Sequence, residues 1–326
     1  MVTLRKVHGS ENRFFILDRT QFTTIPTIEQ IANLAVRLKQ SANETFNDID
    51  GILVVDASDH PGCLGKMTVV NADGSLASMC GNGLRTVARY LAEQTGTTKF
   101  KVETQDADLH VEQAPQLAPA VPAYGVEIAP VRFHAADFPF AELGGDTILN
   151  RPLPRLAPDL DFTAIAVPNP HLISFMDHDT LTSGLQAQLG PYLNGENPYF
   201  PDGVNLNFAQ ILGPDRLFVK TYERGVGFTN ACGTGMTATS LAYVLNHDQG
   251  DFDHVVTVYN PGGMVKVHVA RTGTEYALQL IANATTLGNW EIEATNLFQH
   301  EFAAGNYQPT TEETAYQNWV ATLSQP

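Results

Sequence analysis

Short runs of branched and aromatic residues, each bounded by turn residues, recur along the first third of the chain. They are Val2–Val7, Phe14–Asp18, Ile52–Val55, Met67–Asn71, Phe100–Glu103 and His110–Glu112, and they read as strands. Two stretches carry helical spacing instead. In Thr27–Gln40 the apolar positions are Ile28, Ile31, Leu34, Ala35 and Leu38; after Gly83 they are Leu84, Val87, Ala88 and Leu91. From Gln113 to Pro122 the composition shifts to Ala, Pro and Gln, which suits an extended connector, so a domain boundary is expected there.

The second half repeats the mixture. Strands are expected at Gly125–Ile128, Thr163–Val167, Leu172–Met176, Leu206–Ile211, Leu217–Glu223, Val255–Tyr259 and Met264–Val269, with a helix over Gly235–Leu245. Asn260-Pro261-Gly262-Gly263 reads as a tight hairpin turn. The two halves also match in detail. One has a strand, Asn71-Ala72-Asp73-Gly74, then Cys80-Gly81-Asn82-Gly83 and a helix; the other has a strand, Glu223-Arg224-Gly225, then Cys232-Gly233-Thr234-Gly235 and a helix. The two thiols lie 232 − 80 = 152 residues apart, about one domain length, so two similar domains are expected. A cleft between them would bring the sulfurs face to face. The tail, Leu297–Pro326, carries a capping-box pattern at Thr310-Thr311-Glu312-Glu313 followed by Ala315, Tyr316, Trp319, Val320 and Leu323, a short amphipathic helix expected to dock on the body or on a second subunit.

Composition narrows the class. The chain has 326 residues, 43% hydrophobic and 17% charged, enough for a sizeable core and unlike a disordered chain. Nineteen basic against 35 acidic residues give a net charge of −16, which argues against gripping nucleic acid or anionic lipid by bulk charge. A small-molecule role rises. Three cysteines are too few and odd in number for a disulfide framework, which points to free thiols in a reducing, cytoplasmic setting. Met1–Arg13 lacks the apolar stretch of a secretory signal, and the uncharged run Gly225–Asn246 is rich in Thr, Asn, Ser and Gly, as in a buried soluble segment.

A cysteine at a helix N-terminus sits among unpaired N–H groups and the positive end of the dipole, which favour thiolate. Gly81, Gly83, Gly233 and Gly235 let a ligand carboxylate approach the same N–H groups. Such a carboxylate would oppose the thiolate, so a local acid–base partner must set which sulfur holds the proton. Two such units facing one amino acid could remove the α-proton from one side and return one to the other, inverting the centre. Cys63 has no glycine flanks and reads as structural. Gly233-Thr234-Gly235-Met236-Thr237-Ala238 formally fits a dinucleotide fingerprint with Asp253 downstream, but the long loop after Glu223 argues against it. Neither cysteine pair has zinc or redox spacing.

Six separated motifs then carry a resemblance: Asn71-Ala72-Asp73-Gly74-Ser75 with Met79-Cys80-Gly81-Asn82-Gly83, Asn169-Pro170-His171, Gly203-Val204-Asn205, and Tyr222-Glu223-Arg224-Gly225 with Ala231-Cys232-Gly233-Thr234-Gly235. In this order, over about Val7–Glu293, the chain resembles the diaminopimelate epimerase family. That resemblance implies a cofactor-independent, metal-free epimerase interconverting LL- and meso-diaminopimelate in the lysine and cell-wall branch. Cys80 and Cys232 would be acid and base, with His171 and Glu223 tuning them. Asn12, Asn71, Asn169, Asn205, Glu223 and Arg224 would hold the substrate, and Gly81, Asn82, Gly233 and Thr234 would clamp its reacting carboxylate. Glu11-Asn12-Arg13-Phe14 stands where the family usually shows Gly-Asn-Asp-Phe, Phe228 stands where an acidic residue is common, and the tail exceeds the usual length.

The expected architecture is α+β: two structurally similar domains, 1–122 and 123–281, each a mixed, mostly antiparallel sheet wrapped around a central helix. By the resemblance a strand within 282–296 returns to the first domain, ahead of the 297–326 tail. The expected partners are an amino-acid substrate and a second copy of the chain, with neither nucleic acid nor membrane. The alternatives are an epimerase or racemase for another amino acid, and a dinucleotide-binding or non-catalytic anion-binding protein.

Overall fold

The computed structural model describes residues 1–77, 80–138, 140, 142–247 and 252–323. Met79 of the first cysteine motif lies outside them. The chain divides into one unit of Met1–Val126 with Ala282–Thr322 and a second over Glu127–Ile281. No helix among the described residues is long and apolar enough to cross a membrane.

In the first unit, Val2–Gly9 pairs antiparallel with Asn12–Asp18, which runs parallel to Gly51–Asp56. Gly51–Asp56 pairs antiparallel with Cys63–Asn71, which runs parallel to Lys99–Glu103, itself antiparallel to Asp108–Ala118. Thr285–Ile292 adds to the free side of Val2–Gly9 and carries Asn306–Pro309 on its own outer edge. Phe14, Phe15, Ile16 and Leu17 are all buried, because helices cover both faces of the strand. Phe15, Leu17, Ile52 and Val54 pack with Ile31, Leu34, Ala35 and Leu38 of helix Ile28–Lys39. Leu53 points the other way, toward the start of helix Gly81–Thr95.

The second unit repeats this order. Ala157–Ala166 pairs antiparallel with Pro170–Phe175, which runs parallel to Asn205–Gly213. That strand pairs antiparallel with Arg216–Glu223, which runs parallel to His254–Asn260, and His254–Asn260 is antiparallel to Gly263–Thr272 through the expected turn. Even the short partner strands correspond: Leu76–Ala77 lies on Cys63–Asn71, and Gly227–Thr229 lies on Arg216–Glu223. The helix Gly233–Asn246 is buried along nearly its whole length. Three of its hydroxyls are satisfied internally, Thr237 Oγ1 donating to Gly233 O at 2.9 Å, Thr239 Oγ1 to Gly235 O at 2.7 Å and Ser240 Oγ to Met236 O at 2.9 Å. Each unit is thus a mixed, mostly antiparallel sheet around a helix, the α+β arrangement expected.

One local reading changes, and two elements were not expected from the sequence. Gln113–Pro122 is no connector but belongs to a hairpin of Asp108–Ala118 and Val121–Glu127, whose register slips between Ala114 and Ala118. Pro115 falls in that irregularity and Pro119 in the turn, where a missing N–H costs no ladder bond. The helix Leu185–Asn194 was hidden by Gly190 and Pro191; Gly190 is required because a Cβ there would lie 2.4 Å from the Tyr222 ring. Strand Glu275–Asn283 alternates as a strand should and went unread.

The expected tail helix forms at Glu312–Thr322 and packs on the first unit. Glu312 binds Arg89 of helix Gly81–Thr95 through two bonds, 2.6 and 2.7 Å, and accepts Thr286 N–H at 2.8 Å. Glu313 lies 2.8 Å from His8 Nε2 and 3.3 Å from Arg13, while Tyr316 is buried with its ring 4.6 Å from that of His8. Gln317 donates to Glu11 at 3.3 Å. The unusual Glu11 and Arg13 and the long tail are therefore partners in one contact. Ser10 and Glu11 form the hairpin turn with φ of 51° and 66°, so Glu11 occupies a left-handed position that glycine would take without strain.

Candidate active site

In the first unit Cys80 is the N-cap of helix Gly81–Thr95, with extended backbone (φ −143°, ψ 102°), and its sulfur accepts Gly83 N–H at 3.3 Å. The thiol donates to Asn12 Oδ1 at 3.5 Å, and Asn12 Nδ2 donates to Asp50 at 2.5 Å. Asn71 lies opposite Gly51 in the neighbouring strand, and its amide donates to Ser75 Oγ at 2.9 Å within a turn. Asn12, Asn71, Cys80, Gly81 and Asn82 thus gather at one end of this sheet. A Cβ on Gly83 would sit 2.7 Å from the end of the Leu53 side chain, which would have to shift, and 3.5 Å from the Cys80 sulfur. Burial pushes the Cys80 thiol above its ordinary value, while the Gly83 N–H, the Arg85 cation and the Asn82 N–H pull the other way.

The second unit presents the same geometry. Cys232, buried, is the N-cap of Gly233–Asn246 (φ −117°, ψ 104°), and its sulfur accepts Gly235 N–H at 3.4 Å and lies 3.6 Å from Thr234 Oγ1. Burial and then the Glu223 carboxylate push this thiol up to about 12. Glu223 ends its strand and accepts Thr229 Oγ1–H at 2.6 Å. Phe228 is half exposed, its ring edge-on to Tyr222, so this departure from the family pattern points away from the Glu223–Thr229 bond.

His171, Asn205 and Asn207 lie on paired parallel strands, His171 directly opposite Asn205. Asn207 Nδ2 donates to His171 Nδ1 at 3.0 Å, which leaves the ring hydrogen on Nε2, 3.2 Å from Asn169 Oδ1. Burial lowers His171 to about 3, so its ring is neutral. Asn205 donates to Pro170 O at 3.0 Å and accepts Arg224 N–H at 2.8 Å, and the Arg224 guanidinium donates to Asp202 O at 3.0 Å. Gly235 joins the two groups: a Cβ there would lie 2.4 Å from Asn207 Oδ1, 3.1 Å from Thr221 Oγ1 and 3.2 Å from the Cys232 sulfur. His171, Asn169, Asn205, Glu223, Arg224, Cys232, Gly233 and Thr234 therefore form one neighbourhood in this unit.

Sequence reasoning missed Asp50, Asn207, Thr221 and Thr229. Asn207 left a signal: it lies two residues beyond Asn205 on a strand, hence on the same face, and is fully buried. All three cysteines are free. Cys63 is partly exposed, with its thiol raised by burial and by Asp108. Asp253, the ribose acceptor in a dinucleotide reading, is bonded to His268 at 2.9 Å.

Solved structures with the same fold include methylitaconate-delta-isomerase (TM-score 0.60, 14% identical, 100% of this chain and 98% of that one) and a phenazine biosynthesis protein of the PhzF family from Bacillus anthracis (0.59, 13%, 88% and 97%). Among curated proteins, the diaminopimelate epimerases of Enterococcus faecalis and Lactiplantibacillus plantarum are 49% and 47% identical, each with 99% of both chains aligned, a span that takes in the tail helix. That of Listeria monocytogenes is 45% identical over 98% of this chain and 96% of its own. The family model for diaminopimelate epimerase matches residues 4–119 and 163–286. With its fold, its paired helix-capping thiols and these relatives, the chain belongs to the diaminopimelate epimerase family and is an isomerase of the amino-acid epimerase kind.

Proposed function

We propose that this enzyme interconverts LL- and meso-diaminopimelate without a cofactor, supplying lysine and peptidoglycan precursors, and that Cys80 and Cys232 exchange the α-proton. The observation that carries the reading is the repeated constellation: a free cysteine caps a central helix in each unit, its sulfur bound by the N–H three residues on at 3.3 and 3.4 Å. One thiolate removes the α-proton from one face, leaving a carbanion stabilised as an enolate by the N–H groups at the helix starts. The other thiol then gives its proton to the opposite face, and its sulfur becomes the thiolate of the reverse reaction. The N–H groups of Gly81, Asn82, Gly233 and Thr234 hold the reacting carboxylate.

Each sulfur has a different electrostatic neighbour, Arg85 for Cys80 and Glu223 for Cys232. On this reading Glu223 takes the proton of Cys232 when that sulfur acts as base. His171, neutral and fixed by Asn207, orients Asn169 and tunes a thiol without holding a charge of its own. Asn12, Asn71, Asn169, Asn205 and Arg224 read the ammonium and carboxylate of the distal head. The family relationship likewise supports a homodimer in the reducing cytoplasm. Assays of diaminopimelate beside histidine, glutamate and proline test the substrate: epimerisation of diaminopimelate alone is expected, and preference for another amino acid would transfer the same chemistry to that substrate.

A further inference from the structure

Arg85 is a buried charge that the proposed reaction leaves unused. It lies in the helix that Cys80 caps and is fully buried, yet among the described residues no carboxylate pairs with it. Its acceptors are all neutral: Asn283 O at 3.2 Å from Nε, Ser10 Oγ at 3.1 Å and Asn82 Oδ1 at 2.9 Å from Nη2, and Gly81 O at 3.5 Å from Nη1. Gly9 leaves it room, since a Cβ there would stand 3.0 Å from Arg85 Nη2 and 2.6 Å from Asn82 O. A guanidinium withdrawn from water and surrounded by dipoles alone is costly, so its retention calls for an anion formed nearby.

The candidate anion stands at the mouth of the same helix. We propose that Arg85 is a positioning residue for Cys80, supplying the positive charge against which the Cys80 thiolate forms and fixing Asn82 and the Gly81 carbonyl beside it. The inference rests on the reading that Cys80 exchanges the α-proton. Burial lowers Arg85 to about 10, and the charges of Cys80 and Tyr316 work in the opposite direction. The charged and titratable groups around the pair are few. Asp50 also faces Cys80 and opposes its ionisation, though its carboxylate is already bonded by Asn12 and the Arg13 N–H. Tyr316 of the tail helix faces Arg85, and Glu11, Glu313, Arg13 and the His8 ring surround Tyr316. Removing the Arg85 charge therefore leaves burial and Asp50 against the thiolate.

The test is the pH dependence of Cys80 alkylation by iodoacetamide, resolved from Cys63 and Cys232 by peptide mass spectrometry, in the wild type, Arg85→Met and Arg85→Lys. In Arg85→Met the Cys80 titration moves to higher pH, so that alkylation at a fixed pH on the rising limb slows about tenfold and kcat falls in parallel. In Arg85→Lys, which keeps the charge, the Cys80 titration stays close to the wild type. A folded Arg85→Met protein with wild-type Cys80 titration would overturn the inference. So would Arg85→Lys displaced by the full tenfold, a test that stands even if Arg85→Met does not fold. Full activity in Cys80→Ala would instead defeat the reading beneath it, and the alkylation profile distinguishes the two failures.

Discussion

Replacing Gly235 by alanine tests the geometry of the second thiol with one methyl group. The new Cβ would lie 2.4 Å from Asn207 Oδ1, well inside the 3.4 Å at which ordinary contact begins, and 3.2 Å from the Cys232 sulfur. Asn207 is fully buried, with Oδ1 bonded to Thr221 at 2.9 Å and Nδ2 to His171 at 3.0 Å, so it cannot retreat without breaking a buried bond. Overpacking costs about 1–3 kcal/mol and a stranded buried polar group about 1–3 more, against a helix-propensity gain of about 1. A net loss of about 1–5 kcal/mol is expected by urea unfolding, with kcat down about 100-fold as the sulfur is displaced. The control is Gly96→Ala, left-handed at φ 73° with nothing within 4 Å, which should cost about 1 kcal/mol and leave kcat unchanged. A Gly235→Ala enzyme with wild-type stability and activity would show that contact at Gly235 does not position the Cys232 sulfur.

Three more outcomes follow from the electrostatics. Glu223→Gln removes the anion beside Cys232, so Cys232 alkylation at pH 8 should quicken about tenfold while turnover falls; unchanged or slower alkylation would contradict the placement of that charge. Burial opposes ionisation of Glu313, but the bond and charge of His8, with Gln317 and Arg13, prevail and hold it at about 2. Its contribution is then present above the ordinary value of 4.5 and lost as pH falls toward 2, so the stability gap between wild type and Glu313→Gln should shrink across that window, and a gap constant with pH would exclude it. His171, held at about 3 by burial, should show no titration between pH 5 and 8 in imidazole NMR spectra of the free enzyme, whereas a midpoint near 6.5 would mean that the ring is solvated.

The strands were legible because two-sided burial makes them continuous apolar runs, as at Phe14–Leu17, and the central helices because their apolar spacing is unbroken. The thiols stood out through repetition, since one Cys-Gly-X-Gly says little and two at matching places say much. The residues around them were silent. Asp50 acts through a bond to Asn12 that is 38 positions away in sequence, and Arg85 looks like an ordinary helix cation until its burial is known. Proline misled at 115 and 119, because a bulge and a turn absorb it without ending the hairpin.

If two sulfurs work on opposite faces of one carbon, isotope tracking in D2O exposes it. Starting from each pure diaminopimelate isomer, early product should carry α-deuterium while remaining substrate keeps its hydrogen, and interconversion should be lost in both Cys80→Ala and Cys232→Ala. Full epimerisation by either variant, or early product that keeps the substrate's own hydrogen, would contradict it.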